Sequence, residues 1–495
     1  MLNKRQQEIF NEITKNLGIK FDEKSEVEIK QTPSSVDSVV ETHDIAVATM
    51  SAIGLAVATI GKMRGLGSQK ITIDRRHAGL LLNSICYFFQ SGWQCDIMSV
   101  HTAINGFYET KDGRHIVFNG TYPHLRTGLL NFFNCINIKE NIAKEVKKYN
   151  ADDLEQRLAD AGLCATIVRS KEEWLSHPQG KILHEKPVIE LIKIADGEPV
   201  PFSDDVLRPL EKIKIVDFTH VIASPNIGRM AAEHGADVIN CRSPRLDHVL
   251  PFDIETSIGK KNAYIDIDDP HDRSLVMKLI EDADCFIQGF RYNSMEKKGF
   301  GYKDLLKMKK NIIYVENNCY GFEGPWAGRR GWEQLAESSS GLAMIHSQGR
   351  DGLHLIPALY HDYTTGWLGS LGLLAALLKR STEGGSWLVR IALSKTSMLG
   401  TRYCQNTEKA VPIGEKDFKD YWVDQASPIG LLTRVGPCIE LDKTPPYAEH
   451  VAGFPGSDTL DLGWGPYPIY PKPIPHRKTA LFDLHDVHFI GDQKL

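Results

Sequence analysis

The sequence predicts an α/β protein: a large domain on a Rossmann-like parallel sheet, with a smaller α+β domain beside it. Three observations predict it. From residue 211 onward, short β-branched runs alternate with helical patterns of 10 to 15 residues, as parallel strands joined by crossovers do. Residues 104–122 (INGFYETKDGRHIVFNGTY) read instead as two strands around a Lys-Asp-Gly turn. One helix–strand stretch also occurs twice in the chain, 318 residues apart.

The elements follow in order. Ile9, Phe10, Ile13 and Leu17 mark one face of a short amphipathic N-terminal helix with no apolar core of a signal peptide. Residues 22–42 are polar and rich in Ser and Thr, and read as a linker. Residues 43–92 read as helix, strand (QKITID) and helix (HAGLLLNSICYFF), and helices follow the two strands at 123–135, 138–149 and 152–162. The last opens on an acidic first turn, as helices prefer. DGEPVPFSDD (196–205) is a second linker. Strands are then expected in EKIKIVDFT, ADVINCRS, KNAYIDI, DCFIQGF, NIIYVENN and SWLVRIAL, with helices between them. Residues 404–495 are rich in Pro and Gly and read as a surface wrap. The expected units are 1–42, 43–205, 206–403 and 404–495.

Composition narrows the function classes. A net charge of −5 gives no basic footprint for nucleic acid. Nine scattered cysteines without a CxxC pair suit reduced thiols in a cytoplasmic protein with no zinc site. No membrane-spanning segment is expected, because no window of about 18 uncharged apolar residues stands out.

The repeat aligns residues 43–68 with 361–386 without a gap, and seven of the 26 positions are identical. Both copies begin His-Asp ahead of an apolar helix, so Asp44 and Asp362 are rival candidates for one site. An Asp before a helix is most often an N-cap. A carboxylate is also a competent nucleophile toward a thioester, with helix N–H groups and nearby glycines to receive an oxyanion. Asp362 has Gly366, Gly369 and Gly372 behind it and the strand-rich half ahead of it. Asp44 has no Gly-rich approach segment ahead of it and the Rossmann-like strands lie in the other half, so it is expected to be a cap. His220-Val221-Ile222-Ala223-Ser224-Pro225 follows a strand and opens a helix, where an open sheet offers N–H groups to a phosphate, although no GxGxxG is present.

IVDFTHVIASP, HGADVINCRSP, GKKNAYIDIDDP, DADCFIQGFRYNSMEKKGFGY, YGFEGPWAGRRGWEQLAESSSG and HDYTTGWLGSLGLLAALL together resemble the family III CoA-transferases of the CaiB/BaiF type, over roughly residues 211–395. Residues 43–190 resemble the other half of the same unit, so the half-units stand in rearranged order. The resemblance implies the family fold, an intertwined homodimer, acyl-CoA and a small carboxylic acid as substrates, and no permanently bound cofactor. It implies that Asp362 attacks the acyl carbonyl, giving an anhydride and then an aspartyl-CoA thioester. His220, Val221 and Ala223 would line the CoA site, Arg242 would lie near the adenosine phosphates, and Phe290 and Arg291 on the adenine side. Lys261 and Lys298 belong to a wider basic set (with Arg245, Lys260 and Lys297) where CoA phosphates would lie. Arg330, Trp332 and Glu333 would stand near the substrate, Glu333 as a second catalytic carboxylate, and Arg329 or Arg330 would meet the acid. His361 would tune Asp362. Trp332, Tyr363 and Trp367 are candidates for the acyl pocket.

Departures from the family pattern are also plain. In the family's racemases a His and an Asp flank the α-carbon, the Asp following a Gly-aromatic or Gly-His pair before the helix. Here that position is Glu333, whereas the transferase carboxylate is present as Asp362, which weighs toward transfer. Residues 404–495 match nothing in the family. An acyl-CoA racemase, isomerase or lyase, or a silent CoA-binding protein, are the competing readings.

Overall fold

The computed structural model describes residues 1–95, 102–451, 453–459, 463–464 and 472–476. Its centre is a seven-stranded sheet of β1 (Glu190–Ala195), β2 (Lys214–Phe218), β3 (Asp237–Arg242), β4 (Lys261–Tyr264), β5 (Cys285–Gln288), β6 (Ile313–Asn318) and β7 (Ser386–Ala392), in the order β4-β3-β2-β5-β6-β7-β1. β2 to β7 are parallel and β1 closes the edge antiparallel. Layers on both faces bury the central strands, which is why Val216, Phe286, Ile287, Tyr314 and Val315 form nearly continuous apolar runs. β1 was not expected, because Glu190 and Lys193 interrupt its apolar pattern at the sheet edge. The chain lays down β2, β3 and β4 to one side and β5, β6 and β7 to the other, so strand order reverses between β2 and β5.

Five helices position the site: α1 (Thr42–Met63), α2 (Pro225–Glu233), α3 (Glu333–Ser339), α4 (Tyr360–Glu383) and α5 (Leu393–Gly400). α1 and α4 are the two copies of the repeat, and they pack against each other in the core. The likeness extends past the helices. In the first copy Gly54 faces Ile71 of the strand Lys70–Asp74, where a Cβ would come within 2.9 Å of the Ile71 side chain. In the second, Gly372 faces Val389 of β7, and a Cβ would come within 2.4 Å. Ile71 and Val389 are themselves 318 apart, as are the starts of the helices that follow, Arg75–Leu80 and α5. Each repeat strand also has one parallel and one antiparallel neighbour: Glu26–Lys30 and Glu440–Leu441 in the first copy, β6 and β1 in the second. One helix–strand–helix unit is therefore built twice.

α1 corrects one expectation. By length and composition it is apolar enough to cross a membrane, yet 94% of its most apolar stretch is buried inside the fold. Three other expectations change. HAGLLLNSICYFF is a short helix Arg75–Leu80 and then 3-10 turns Leu81–Tyr87 kinked at Asn83. The linker 22–42 contributes the strand Glu26–Lys30. Residues after 404 form a helix Glu415–Tyr421 and a hairpin, Trp422–Ser427 with Gly430–Val435, which pairs with Phe89–Gln90. The small α+β part is a three-stranded sheet, Phe107–Glu109, His115–Phe118 and Ala165–Ile167, under the helices Pro123–Phe133, Lys139–Val146 and Ala151–Asp160. It has its own core around Phe118, Leu129 and Leu154. The main core joins Ile13, Ile53, Leu373 and Val435, one from each of the four segments.

Candidate active site

A cleft of about 280 Å³ opens at the carboxyl ends of β2 and β5, at the reversal of strand order. Open parallel sheets offer ligands a crevice at that point, because neighbouring crossovers leave in opposite directions. The loop after β2 supplies His220, Val221, Ala223 and Ser224, and the loop after β5 supplies Gly289, Phe290 and Arg291. Arg329, Arg330, Trp332, Glu333 and Asp362 complete the set that the sequence brought forward.

The β2 loop is held in an unusual conformation. Val221 has φ +69°, in the left-handed region that a β-branched residue occupies only at a cost of about 1–3 kcal/mol. Its neighbours are clamped. Lys260 Nζ donates to Pro225 O at 2.6 Å and to Asp217 at 2.8 Å, and Asn317 donates to Ser224 Oγ at 2.8 Å. Gly366 of α4 lies so close that a Cβ there would stand 2.4 Å from Ala223 O. His220 packs 5.0 Å from Phe290, ring to ring. Burial, reinforced by the charge of Arg242, pulls the His220 pKa down to about 4, so the ring is neutral. Its buried Nδ1 has no partner among the described residues.

Arg291 and Arg330 stand across the cleft, and among the described residues neither pairs with a carboxylate. Burial and the charge of Arg330 lower the pKa of Arg291. Arg330 lies 3.3 Å from His124 Nε2 and keeps a buried Nε without a partner. Two close guanidiniums lacking counterions make an anion site.

The other expected cations lie elsewhere. Arg242 is buried in an ion pair with Asp253, Lys261 donates to Gly463 O at 2.9 Å, and Lys298 holds Asp268 on the surface at 2.6 Å. None of the three lines the cleft. Proximity in sequence showed the cations but not the acceptors that the fold brings to them. Tyr363 and Trp367 are also absent from the cleft wall. Both are buried, with the Tyr363 hydroxyl 3.3 Å from Glu255 and accepting from Ile85 N–H at 3.0 Å.

Asp362 is the third residue of α4 and not its cap, because the capping position is Leu359. The helix N–H groups expected to receive an oxyanion are already used. Those of His361 (3.0 Å) and Asp362 point to the Glu333 carboxylate, which thereby caps α4 from the start of α3. Glu333 and Asp362 are both buried, and among the described residues no cation pairs with Asp362. Burial, and then the charge of Glu333, raise Asp362 well above the carboxylate range. Burial also lifts Glu333, to about 8, against the pull of the two N–H groups. Two such carboxyls hold at least one proton between them at neutral pH.

Asp44 is corrected from cap to buried partner. It accepts from Arg75 Nε and from Gln6 Nε2, both at 2.8 Å, and no side chain caps α1. Sequence reasoning missed Leu393, which lines the cleft at the place that Arg75 holds in the first copy. The offset of 318, carried beyond residue 386, would have found it. It also missed Tyr122 and Cys164, which the small α+β part brings to the cleft.

Residues 210–421 match the family model described as CoA-transferase family III. The chain is 33% identical over 272 residues to an acyl-CoA transferase of Gibberella moniliformis, covering 52% of this chain and 48% of that protein. It is 31% identical over 315 residues to the acetyl-coenzyme A transferase nodX of Hypoxylon pulicicidum, covering 59% and 53%. The chain thus spans about half the length of these curated relatives. A crystal structure of a hypothetical protein from Mycobacterium tuberculosis aligns at 27% identity and a TM-score of 0.36, covering 39% of this chain and 56% of that one.

Proposed function

From the match of residues 210–421 to CoA-transferase family III, we propose that this chain moves coenzyme A from an acyl-CoA to a free carboxylic acid, with Asp362 as the nucleophile. The observation that carries the reading is an unpaired, buried carboxylate in a cleft that also holds Arg291, Arg329 and Arg330, none of them paired with a carboxylate among the described residues.

The chemistry then runs in balanced steps. Ionised Asp362 attacks the thioester carbonyl, the C–S bond breaks, and CoA leaves as thiolate from a mixed anhydride. The thiolate attacks the aspartyl carbonyl, releasing the donor acid and leaving an aspartyl-CoA thioester. The acceptor carboxylate attacks that thioester, and the thiolate returns to the acceptor carbonyl, regenerating Asp362. Arg291 and Arg330 bind anionic oxygens of the CoA moiety, and His220 and Phe290 contact its uncharged part. Glu333 takes the proton that Asp362 must lose before it attacks.

The test is to incubate the protein with acyl-CoA, add hydroxylamine, and look for a hydroxamate on Asp362 by mass spectrometry. The Asp362→Ala protein serves as control. An unmodified Asp362 together with exchange of the substrate α-proton into solvent would replace transfer by racemisation. CoA binding without turnover would leave a silent binding protein.

A further inference from the structure

His361 is adjacent to Asp362 but does not line the cleft. Its ring is fully buried and turned the other way. Nδ1 lies 3.3 Å from Glu333 Oε1, and Nε2 lies 2.9 Å from the hydroxyl of Ser397 on α5. Ser397 in turn contacts Ser340 Oγ at 2.5 Å. We propose that His361 is a positioning residue: anchored by Ser397, it holds Glu333 Oε1 as an acceptor and leaves Glu333 Oε2 as the oxygen that takes the proton of Asp362. The inference rests on the reading of Asp362 as nucleophile and deepens it.

Three observations carry it. First, the ring is neutral, its pKa pulled down to about 3 by burial, so it has one N–H to give. Ser397 is able to donate to Nε2, and when the proton of the pair sits on Asp362, Glu333 is ionised and only accepts. Those partners select the tautomer protonated on Nδ1. Second, Oε1 already receives the His361 backbone N–H at 3.0 Å. The Asp362 N–H also points to this carboxylate, so Oε1, which faces at least two donors, is a poorer place for a proton than Oε2. Third, the first repeat copy lacks the device. His43 occupies the place of His361, but Gly79 stands where Ser397 would be, with its Cβ position only 1.9 Å from the His43 ring. There Nε2 meets the Ser35 N–H at 3.1 Å and the Ser35 hydroxyl at 3.2 Å, Nδ1 meets the hydroxyls of Ser34 and Thr42 and no carboxylate, and Asp44 is neutralised by Arg75. Both rings meet a hydroxyl, but the ring that also faces a carboxylate is the one in the copy whose aspartate is unpaired.

The groups facing His361 are Glu333 and Glu337 from α3, Ser397 from α5, Ser340 beyond α3 and Tyr360 on its own helix. Burial raises Glu337 well above the carboxylate range, so it stands neutral 3.9 Å from Nδ1. The proton step is simple. It leaves an Asp362 oxygen for Glu333 Oε2, and the electron pair stays on Asp362 as the attacking lone pair.

The experiment compares His361→Asn, whose amide nitrogen reaches the place of Nδ1, with His361→Gln, whose amide reaches that of Nε2, and His361→Leu. His361→Leu and His361→Gln are expected to lose about 100-fold in kcat with KM for acyl-CoA unchanged, while His361→Asn recovers to within about 5-fold of wild type. Losing a donor to Glu333 raises the proton affinity of the carboxyl pair, so the pH–rate profile of His361→Leu moves up by about one unit. Ser397→Ala moves the profile in the same direction and decides the matter if His361→Leu does not fold. A profile that stays in place, or His361→Asn no better than His361→Gln, overturns the proposal alone. No adduct on Asp362 in the wild-type protein overturns the underlying reading, and the proposal with it.

Discussion

Arg75 Nε donates to Asp44 at 2.8 Å, and the residue 318 positions further on, where Asp362 would need the same partner, is Leu393. The two copies of one helix–strand–helix unit thus differ at the residue that decides whether the aspartate is held in a salt bridge or left unpaired in a cleft. Leu393→Arg should therefore rebuild in the second copy what the first already has. A guanidinium beside Asp362 favours its ionised form but ties the oxygens up and fills the cleft. Transfer activity is expected to fall by at least about 100-fold with the fold retained. Ordinary turnover in Leu393→Arg, by acyl-CoA exchange assay, would remove the argument for Leu393.

Breaking the first copy has the opposite consequence, loss of stability with the chemistry spared. Arg75→Leu leaves Asp44 buried and uncompensated, which costs about 3–5 kcal/mol. Asp362→Asn removes a carboxylate that burial disfavours, so the protein becomes no less stable and loses its activity. Urea denaturation of the two variants separates them: the midpoint falls for Arg75→Leu and holds or rises for Asp362→Asn.

The pH dependence of stability follows from the same pair. Glu333 and Asp362 have folded pKa values raised above the ordinary carboxylate range, Glu333 to about 8. Between that range and about pH 8 the unfolded chain has released protons that the folded pair keeps. Stability present at low pH is therefore lost as pH rises through the folded values, by about 1.4 kcal/mol per unit for each retained proton. Glu333→Gln/Asp362→Asn should flatten that slope. Chemical denaturation of wild type and double variant from pH 5 to 9 gives the comparison, and equal slopes would count against a proton held by the pair.

How much of this could be read in the sequence depends on where each signal lies. The parallel sheet was legible because β2, β5 and β6 are buried on both faces and keep unbroken apolar runs. β1 was not, since an edge strand carrying Glu190 and Lys193 has no such pattern. The hairpin after residue 421 hid inside a Pro- and Gly-rich stretch whose strands pair with Phe89–Gln90, far away in sequence. At the site, the cleft loops follow strand ends, so His220, Phe290 and Arg291 could be placed by order alone. Arg242, Lys261 and Lys298 were misplaced because their acceptors, Asp253, Gly463 and Asp268, arrive through tertiary packing.

The guanidinium pair makes a prediction about binding. Arg291, Arg329 and Arg330 are the cleft cations without a carboxylate among the described residues; Arg329 gives its guanidinium to Gln156 and packs over Trp326, so the other two should carry most of the charge-dependent part of CoA affinity. Arg291→Gln and Arg330→Gln are each expected to weaken CoA binding by about 10-fold and to reduce its salt dependence. Lys298→Gln should change neither, because Lys298 is engaged with Asp268 on the surface. Titration calorimetry with CoA at two salt concentrations tests all three, and a loss confined to Lys298→Gln would move the anion site out of the cleft.

The catalytic helix meets the β2 loop backbone to backbone. Gly366 lies on α4 one turn beyond Asp362, with Ala223 O 2.4 Å from its Cβ position and Asn226 Cβ at 2.7 Å. A methyl group there cannot be relieved by a side chain swinging away, because the nearer atom is backbone. The backbone is pinned from its far side by Lys260 on Pro225 O and by Asn317 on Ser224. Gly366→Ala must therefore push the loop that holds Val221 away from the catalytic helix. The expected cost is about 1–3 kcal/mol of stability, the usual penalty of overpacking. KM for acyl-CoA should rise by about 10-fold or more, since His220 and Ala223 leave their places at the cleft. Gly369→Ala is the control, because its Cβ would meet side chains alone, Ile227 at 2.7 Å and Ile391 at 3.3 Å, which are able to shift, so stability falls without a rise in KM. Equal KM values for both variants would show that the separation of α4 from the β2 loop does not govern substrate binding.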